Sequence, residues 1–167
     1  MDVADFTIGL GKESRCSCTA LRKASRRISQ LYDVALSPCG LTVNQKSVLA
    51  QISRSLPMTV GQLAEALVMD PGALAHTLKP LERDGLVEVK VDPTDRRQRL
   101  VALTAVGGTK LADAEVLWAN AQGGFEAALG KTESDALRGV LKILVSNEFV
   151  ETFQSSLRGP TPDAQTK

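Results

Sequence analysis

The sequence predicts a mainly α chain carrying one small β-hairpin wing, and three observations lead there. Apolar residues recur at helical spacing over most of the chain. Three helix-start signals follow one another between Thr42 and Pro71. Directly after Gly85 the apolar period falls from 3.6 to 2.

The first helix is expected from Cys16 to Ser37. Leu21, Ala24, Ile28, Leu31 and Ala35 fall at alternating steps of three and four and make one apolar stripe, with Arg22, Lys23, Arg26 and Arg27 on the remaining surface. Pro38 and Gly40 end it. Thr42-Val43-Asn44-Gln45 and Thr59-Val60-Gly61-Gln62 both fit a capping box, in which threonine accepts from the N3 amide and glutamine reaches back to the cap. Asp70 caps a further helix whose first residue is Pro71, where a missing N–H costs nothing. These signals place helices at 43–54, 60–68 and 71–84, the last stopped by Gly85. Pro80 removes the bond to the carbonyl of His76 and is expected to bend that helix. The short break between the last two helices is helix-turn-helix spacing.

Val87, Val89 and Val91 then alternate with Glu88 and Lys90, and Arg99, Val101 and Leu103 alternate with Leu100 and Ala102. Between them, Asp92 to Gln98 is rich in turn formers and arginine. A charged hairpin after a helix-turn-helix is a winged helix. Two more helices close the chain. One spans 105–129, with Leu111, Ala114, Trp118, Ala121 and Phe125 in a stripe; the other opens at a capping box, Thr132-Glu133-Ser134-Asp135, and carries Leu137, Val140, Leu141, Leu144, Val145 and Phe149. A winged helix needs neither of these nor the first helix. Their apolar faces call for a partner, and a second copy related by a two-fold axis supplies one. The expected organisation is a flexible N-terminus over 1–14, an N-terminal dimerisation helix over 15–40, a winged helix-turn-helix over 41–104, C-terminal dimerisation helices over 105–154 and a flexible tail over 155–167.

Composition bounds the chemistry. The 167 residues are 43% apolar and 23% charged, as in an ordinary globular protein, and the net charge of +1 does not announce a polyanionic partner. DNA binding must therefore come from local clusters. No stretch resembles a signal peptide or a membrane span, so a cytoplasmic protein without membrane contact is expected. Three cysteines, an odd number, argue against a disulfide framework, and four Phe, one Trp and one Tyr are too few for a platform that stacks single-stranded bases. No metal-ligand cluster, phosphate-cradling glycine motif or nucleophile paired with His76 points to catalysis, and no cofactor is implied.

Arg96, Arg97 and Arg99 put dense positive charge at a protruding tip, and a narrow minor groove attracts inserted arginine. On the helix at 71–84 the candidate base contacts are His76, Thr77 and Lys79, with Ala73 against a thymine methyl. Thr59 and Gln62 suit phosphate contacts. Cys16-Ser17-Cys18 makes a poor metal site, because residues two apart on a helix point about 200° apart. Arg15, Arg22, Lys23 and the first helical turn favour a thiolate at Cys18, whose plainer role is a small apolar residue at a dimer seam.

Asp95-Arg96-Arg97, with Leu103-Thr104 eight residues after the aspartate and Gly107 three after the threonine, resembles the wing signature of the MarR (multiple antibiotic resistance regulator) family. Gly40-Leu41-Thr42, the helix pair, Leu81 to Val87 and the flanking helices also follow the family's order, over residues 16–153. The resemblance implies a homodimeric transcription factor, most often a repressor, on a pseudo-palindromic double-stranded operator. Its recognition helices would enter major grooves and its wings minor grooves, with release by a small, often aromatic, effector or by oxidants. It makes Arg97 the inserting residue and lets Asp95 hold an arginine in place. Relatives often carry Arg-Thr-Thr where this chain has Pro71-Gly72-Ala73, which leaves the helix short of readers. Two alternatives therefore stay open. Cys18 to Ser25 matches the reactive-cysteine segment of organic-hydroperoxide regulators in the family, with Tyr32 in place of one assisting tyrosine and Val43 where a second would stand. Alternatively, the chain is a dimer that binds no DNA and antagonises a related regulator. An effector pocket is expected around Tyr32, Val48 and Leu67.

Overall fold

The computed structural model describes residues 15–55 and 57–158. Helices α1 (Ser17–Leu36), α2 (Val43–Arg54), α3 (Val60–Ala66) and α4 (Pro71–Arg83) precede strands β2 (Val87–Val91) and β3 (Arg99–Leu103), and α5 (Ala105–Leu129), α6 (Lys131–Leu144) and α7 (Asn147–Arg158) follow. A two-residue strand, β1 (Met58–Thr59), lies just before α3. The chain divides into two compact units, Met1–Ala121 and Gln122–Lys167. The expected flexible N-terminus lies outside the described residues.

In the first unit, a 3₁₀ turn at Ser37–Cys39 and Gly40 at φ 71° end α1. Both expected capping boxes form. Thr42 Oγ1 accepts from the Gln45 amide at 3.2 Å while Gln45 Oε1 accepts from the Thr42 amide at 2.9 Å, and Thr59 and Gln62 repeat this at 3.1 and 2.8 Å. Asp33 adds a tie that the sequence did not announce: its Oδ1 accepts from the Val43 amide at 2.6 Å, joining α1 to the first turn of α2.

Helix α3 stops at Ala66 rather than at the expected residue 68. The Val68 amide donates to Glu65 O and the Met69 amide to Ala64 O, a Schellman cap with Val68 at φ 52° where glycine usually sits. The end of α4 repeats the motif with glycine, the Gly85 amide donating to Glu82 O and that of Leu86 to Leu81 O. Helix α4 runs through Pro80 without interruption.

The sheet has three antiparallel strands in the order β1-β3-β2, where the sequence showed only a hairpin. Val87, Val89 and Val91 face Leu103, Val101 and Arg99 in register, and Met58 and Thr59 pair with Val101 and Leu100. Two residues are too short for a period to be read, so only the pairing with β3 reveals β1. The Leu103-Thr104…Gly107 string closes the sheet onto α5. Thr104 Oγ1 donates to Gly85 O at 2.7 Å and accepts from the Gly107 amide at 2.9 Å. A Cβ at Gly107 would run into the Leu86 carbonyl, so only glycine fits there. Leu36, Val48, Leu49, Leu63, Leu74, Leu81 and Val101 are almost fully buried in one core, to which α5 adds Leu111 and Ala114.

In the second unit, the expected last helix is two helices. Gly130 at φ 96° precedes α6, which starts at Lys131, so the expected box at Thr132–Asp135 lies inside the first turn and Ser134 Oγ is buried without a hydrogen-bond partner. Helix α6 ends at Leu144, and Ser146 Oγ accepts from the Phe149 amide at 3.2 Å to start α7. Helix α7 continues to Arg158, into the stretch expected to fray. Arg138 bridges Glu126 and Asp135, which Lys131 also contacts. The guanidinium holds the Asp135 carboxyl below its ordinary value, and Glu126 is lowered first by Gln122 and then by Arg138.

Candidate nucleic-acid interface

The wing tip is a turn closed by two aspartates. Asp92 Oδ1 accepts from the Thr94 amide at 2.7 Å and from its hydroxyl at 2.6 Å, and the Asp92 amide donates to Gln98 O at 3.1 Å. The Thr94 hydroxyl, then its amide, lowers the Asp92 carboxyl below its ordinary value. Asp95 Oδ1 accepts from the Arg97 amide at 3.0 Å, and Oδ2 from Gln98 Nε2 at 3.1 Å. Asp95 was expected to hold an arginine, and it does so through the backbone: its carboxylate takes the amide of Arg97, not the guanidinium. Among the described residues no carboxylate lies in ion-pair range of Arg96, Arg97 or Arg99, all three of which are exposed. The turn thus presents the Arg96 and Arg97 guanidinium groups from a braced backbone, with Arg99 beside them at the start of β3.

Helix α4 buries Leu74, Leu78 and Leu81 and turns Ala73, His76 and Lys79 outward. Thr77 departs from expectation: it is half-buried, and its hydroxyl donates to Ala73 O at 3.1 Å. The first amides of α4 are also engaged, Gly72 and Ala73 donating to Asp70 Oδ1 at 2.8 and 3.2 Å. Arg83, in the last turn, pairs with Asp84 at 2.8 Å. Thr59 and Gln62, expected at phosphates, bind each other in their capping box. Thr59 is half-buried in β1, and Gln62 keeps only its amide nitrogen for an outside acceptor.

The expected pocket residues are buried or half-buried. Val48 is fully buried in the core, Leu67 is half-buried against it, and Tyr32 is buried near the end of α1. A cleft of about 440 Å³ opens among Pro38, Cys39, Lys110, Asp113, Val116 and Leu117. Of the cysteines, Cys39 is buried and its thiol donates to Leu36 O at 3.1 Å, whereas Cys16 and Cys18 are exposed. At Cys16, the N-cap of α1, hydrogen bonds from the Thr19 side chain and then its amide lower the thiol pKa. Sequence reasoning had singled out Cys18. It read Asp92 to Gln98 as a turn without assigning Asp92 or Gln98 a part in bracing it.

A helix pair followed by an arginine-tipped antiparallel wing defines a winged-helix protein. The profile described as MarR family matches residues 40–98, and the chain belongs to that family. The organic hydroperoxide resistance transcriptional regulator of Bacillus subtilis is 31% identical over 90 residues, which are 54% of this chain and 61% of that protein, so the match spans less than two thirds of that relative. Two solved structures extend the likeness. The M. tuberculosis transcriptional regulator MOSR, in complex with DNA, is 36% identical over 78% of this chain and 93% of that one, with a TM-score of 0.71. The transcriptional repressor CouR, bound to a 23-mer DNA duplex, is 27% identical over 83% of this chain and 99% of that one, with a TM-score of 0.74. Among the described residues no helix is long and apolar enough to cross a membrane.

Proposed function

We propose that the protein is a homodimeric, DNA-binding transcriptional regulator, a repressor released from a pseudo-palindromic operator by a small aromatic ligand. The carrying observation is the wing: Arg96 and Arg97 on a turn that Asp92 and Asp95 brace, with Arg99 at the start of β3, all exposed and without a carboxylate partner among the described residues. Each wing enters a minor groove with Arg97 leading, and each α4 lies in a major groove with His76, Lys79 and Ala73 toward the bases. So bare a helix reads few bases, and affinity rests on the wing, on phosphates and on DNA shape. Helix α1 and the C-terminal helices from α5 onward form the dimer, and the protein works in the cytoplasm. The cleft between Cys39 and Leu117 suits an aromatic ligand with a polar group, since Lys110 and Asp113 also line it.

The test is selection of DNA by the purified protein, followed by titration over a range of salt. Arg97→Ala should weaken binding about tenfold or more across all selected sequences and flatten the salt dependence by about one to two units of slope, with one arginine lost per protomer. Absence of any salt-dependent complex would instead support the dimer that antagonises a related regulator.

A second reading, the thiol sensor, is favoured by the lowered pKa of exposed Cys16 two residues from Cys18 and by the hydroperoxide regulator among the relatives. An organic hydroperoxide would pass its terminal oxygen to the thiolate, giving a sulfenate and an alcohol. Release from DNA by hydroperoxide, lost in Cys16→Ser or Cys18→Ser, would support it; release unchanged in both would sink it.

A further inference from the structure

Lys46 of α2 is 5% exposed, and nothing in the DNA-binding reading uses it. Its Nζ lies 3.0 Å from Glu115 Oε1 and 4.2 Å from the ring centre of Trp118, both on α5. A buried ammonium carries a large desolvation cost, and because the Glu115 side chain is 41% exposed and keeps water when its partner is removed, an apolar residue at position 46 costs little stability. A buried charge held by one carboxylate and one aromatic face fixes geometry instead: the ion pair and the cation–π contact are satisfied together at one placement of α5 against α2. The surroundings make that placement matter. Helix α5 starts where Gly107 lets it close on the Leu86 carbonyl, and beyond that it meets the winged body through Leu111, Ala114, Leu117 and Trp118. Apolar contacts of this kind tolerate sliding and rotation. Lys46–Glu115 is the ion pair found between α5 and the helices of the winged body among the described residues.

We propose that Lys46, Glu115 and Trp118 form a clasp that sets the direction in which α5 leaves the winged body, making Lys46 a positioning residue for operator half-site spacing. The inference rests on the DNA-binding, dimeric reading. Two half-sites are engaged together only when the angle between each winged body and its α5 matches the spacing along the duplex. A fixed clasp gives a sharp spacing preference, whereas a loosened one lets each body swing and accept several spacings. Glu115 and Trp118 are half-buried, so the clasp sits at the edge of the core, where it can open without unfolding the body.

The experiment compares wild type, Lys46→Met, Lys46→Arg and Glu115→Gln. The DNA is a sequence selected by the wild-type protein, together with versions whose half-sites are moved together or apart by one and two base pairs. Thermal melting and the emission of Trp118, the chain's single tryptophan, are followed in parallel. Lys46→Met should melt close to wild type yet lose most of an about tenfold preference for one spacing. Lys46→Arg, which keeps charge and ring contact, should restore the preference, and Glu115→Gln should fall between. Removal of the ammonium from the indole face should also change Trp118 emission in the free protein. A spacing profile in Lys46→Met that parallels wild type, weaker or not, overturns the proposal, because a merely structural role lowers affinity at every spacing alike. If wild type binds no DNA, the regulator reading fails, and the clasp is then judged by emission alone: an unchanged Trp118 spectrum in Lys46→Met overturns it.

Discussion

Thr77 and His76 are neighbours in sequence and opposite in circumstance. The Thr77 hydroxyl is bonded to the Ala73 carbonyl, while His76 stands exposed on the outer face of α4. Thr77→Val should therefore leave operator affinity within about twofold of wild type, and His76→Ala should lose about five- to tenfold on the preferred sequence and less on others, as measured by DNA titration. Asp92 gives the residue scale its pH dependence. Its carboxyl is lowered in the folded wing by Thr94, so the bracing is fully present above the ordinary carboxylate pKa of about 4 and is lost as pH falls through the lower, folded value. The Thr94 amide resonance should titrate below about pH 4, and Asp92→Asn should abolish that titration while the rest of the spectrum is kept. These side-chain roles were only partly legible in the sequence. The arginines at the wing tip were readable because charge and turn formers cluster there. The engagement of the Thr77 hydroxyl with the Ala73 carbonyl was not, because a hydroxyl's choice between its own backbone and an outside partner depends on three-dimensional geometry.

At the scale of elements, caps carried most of the information. Thr42, Thr59, Asp70 and Gly85 each end or begin a helix where the sequence places them. Ser146 was an equally good start signal, hidden inside an apolar run from Leu137 to Phe149 that reads as one helix. Val68 was not legible at all, since a β-branched residue is among the least suited to a left-handed cap. Its side chain is 74% exposed, so little burial offsets the strain. Val68→Gly should raise stability by about 1 kcal/mol in denaturant unfolding, the relief of the left-handed strain exceeding the added freedom of the unfolded chain. A drop in stability would show that Val68 is held by contacts beyond its cap.

Over the whole molecule, the sequence made the winged body plain and left its company implicit. A core forms from Leu36 through Ala114, but Leu31 and Val34 on α1 and Val140, Ile143, Val150, Phe153 and Leu157 on α6 and α7 stay exposed. Helical stripes announce that a face is apolar without saying whether it closes on its own chain or on a copy. Phe149 and Phe153 stack with ring centres 6.2 Å apart on α7, and Phe153 is the more exposed. Phe153→Asp should weaken dimerisation by about tenfold or more in sedimentation equilibrium, since it puts a charge where apolar area is buried. The winged body should melt as in wild type.

The small sheet has one more consequence. Strand β3 is hydrogen-bonded on one side to β1, which leads into the Thr59 cap of α3, and on the other to β2, while Thr104 pins its far end to Gly85 at the close of α4. The tip that carries Arg97 and the helix that carries His76 are thus two jaws of one caliper, tied through a single sheet. On a duplex, such a caliper does not conform to the DNA it meets. The DNA must bring one groove wall to each jaw at once, and sequences that narrow or bend at the least energetic cost are selected even where no side chain touches a base.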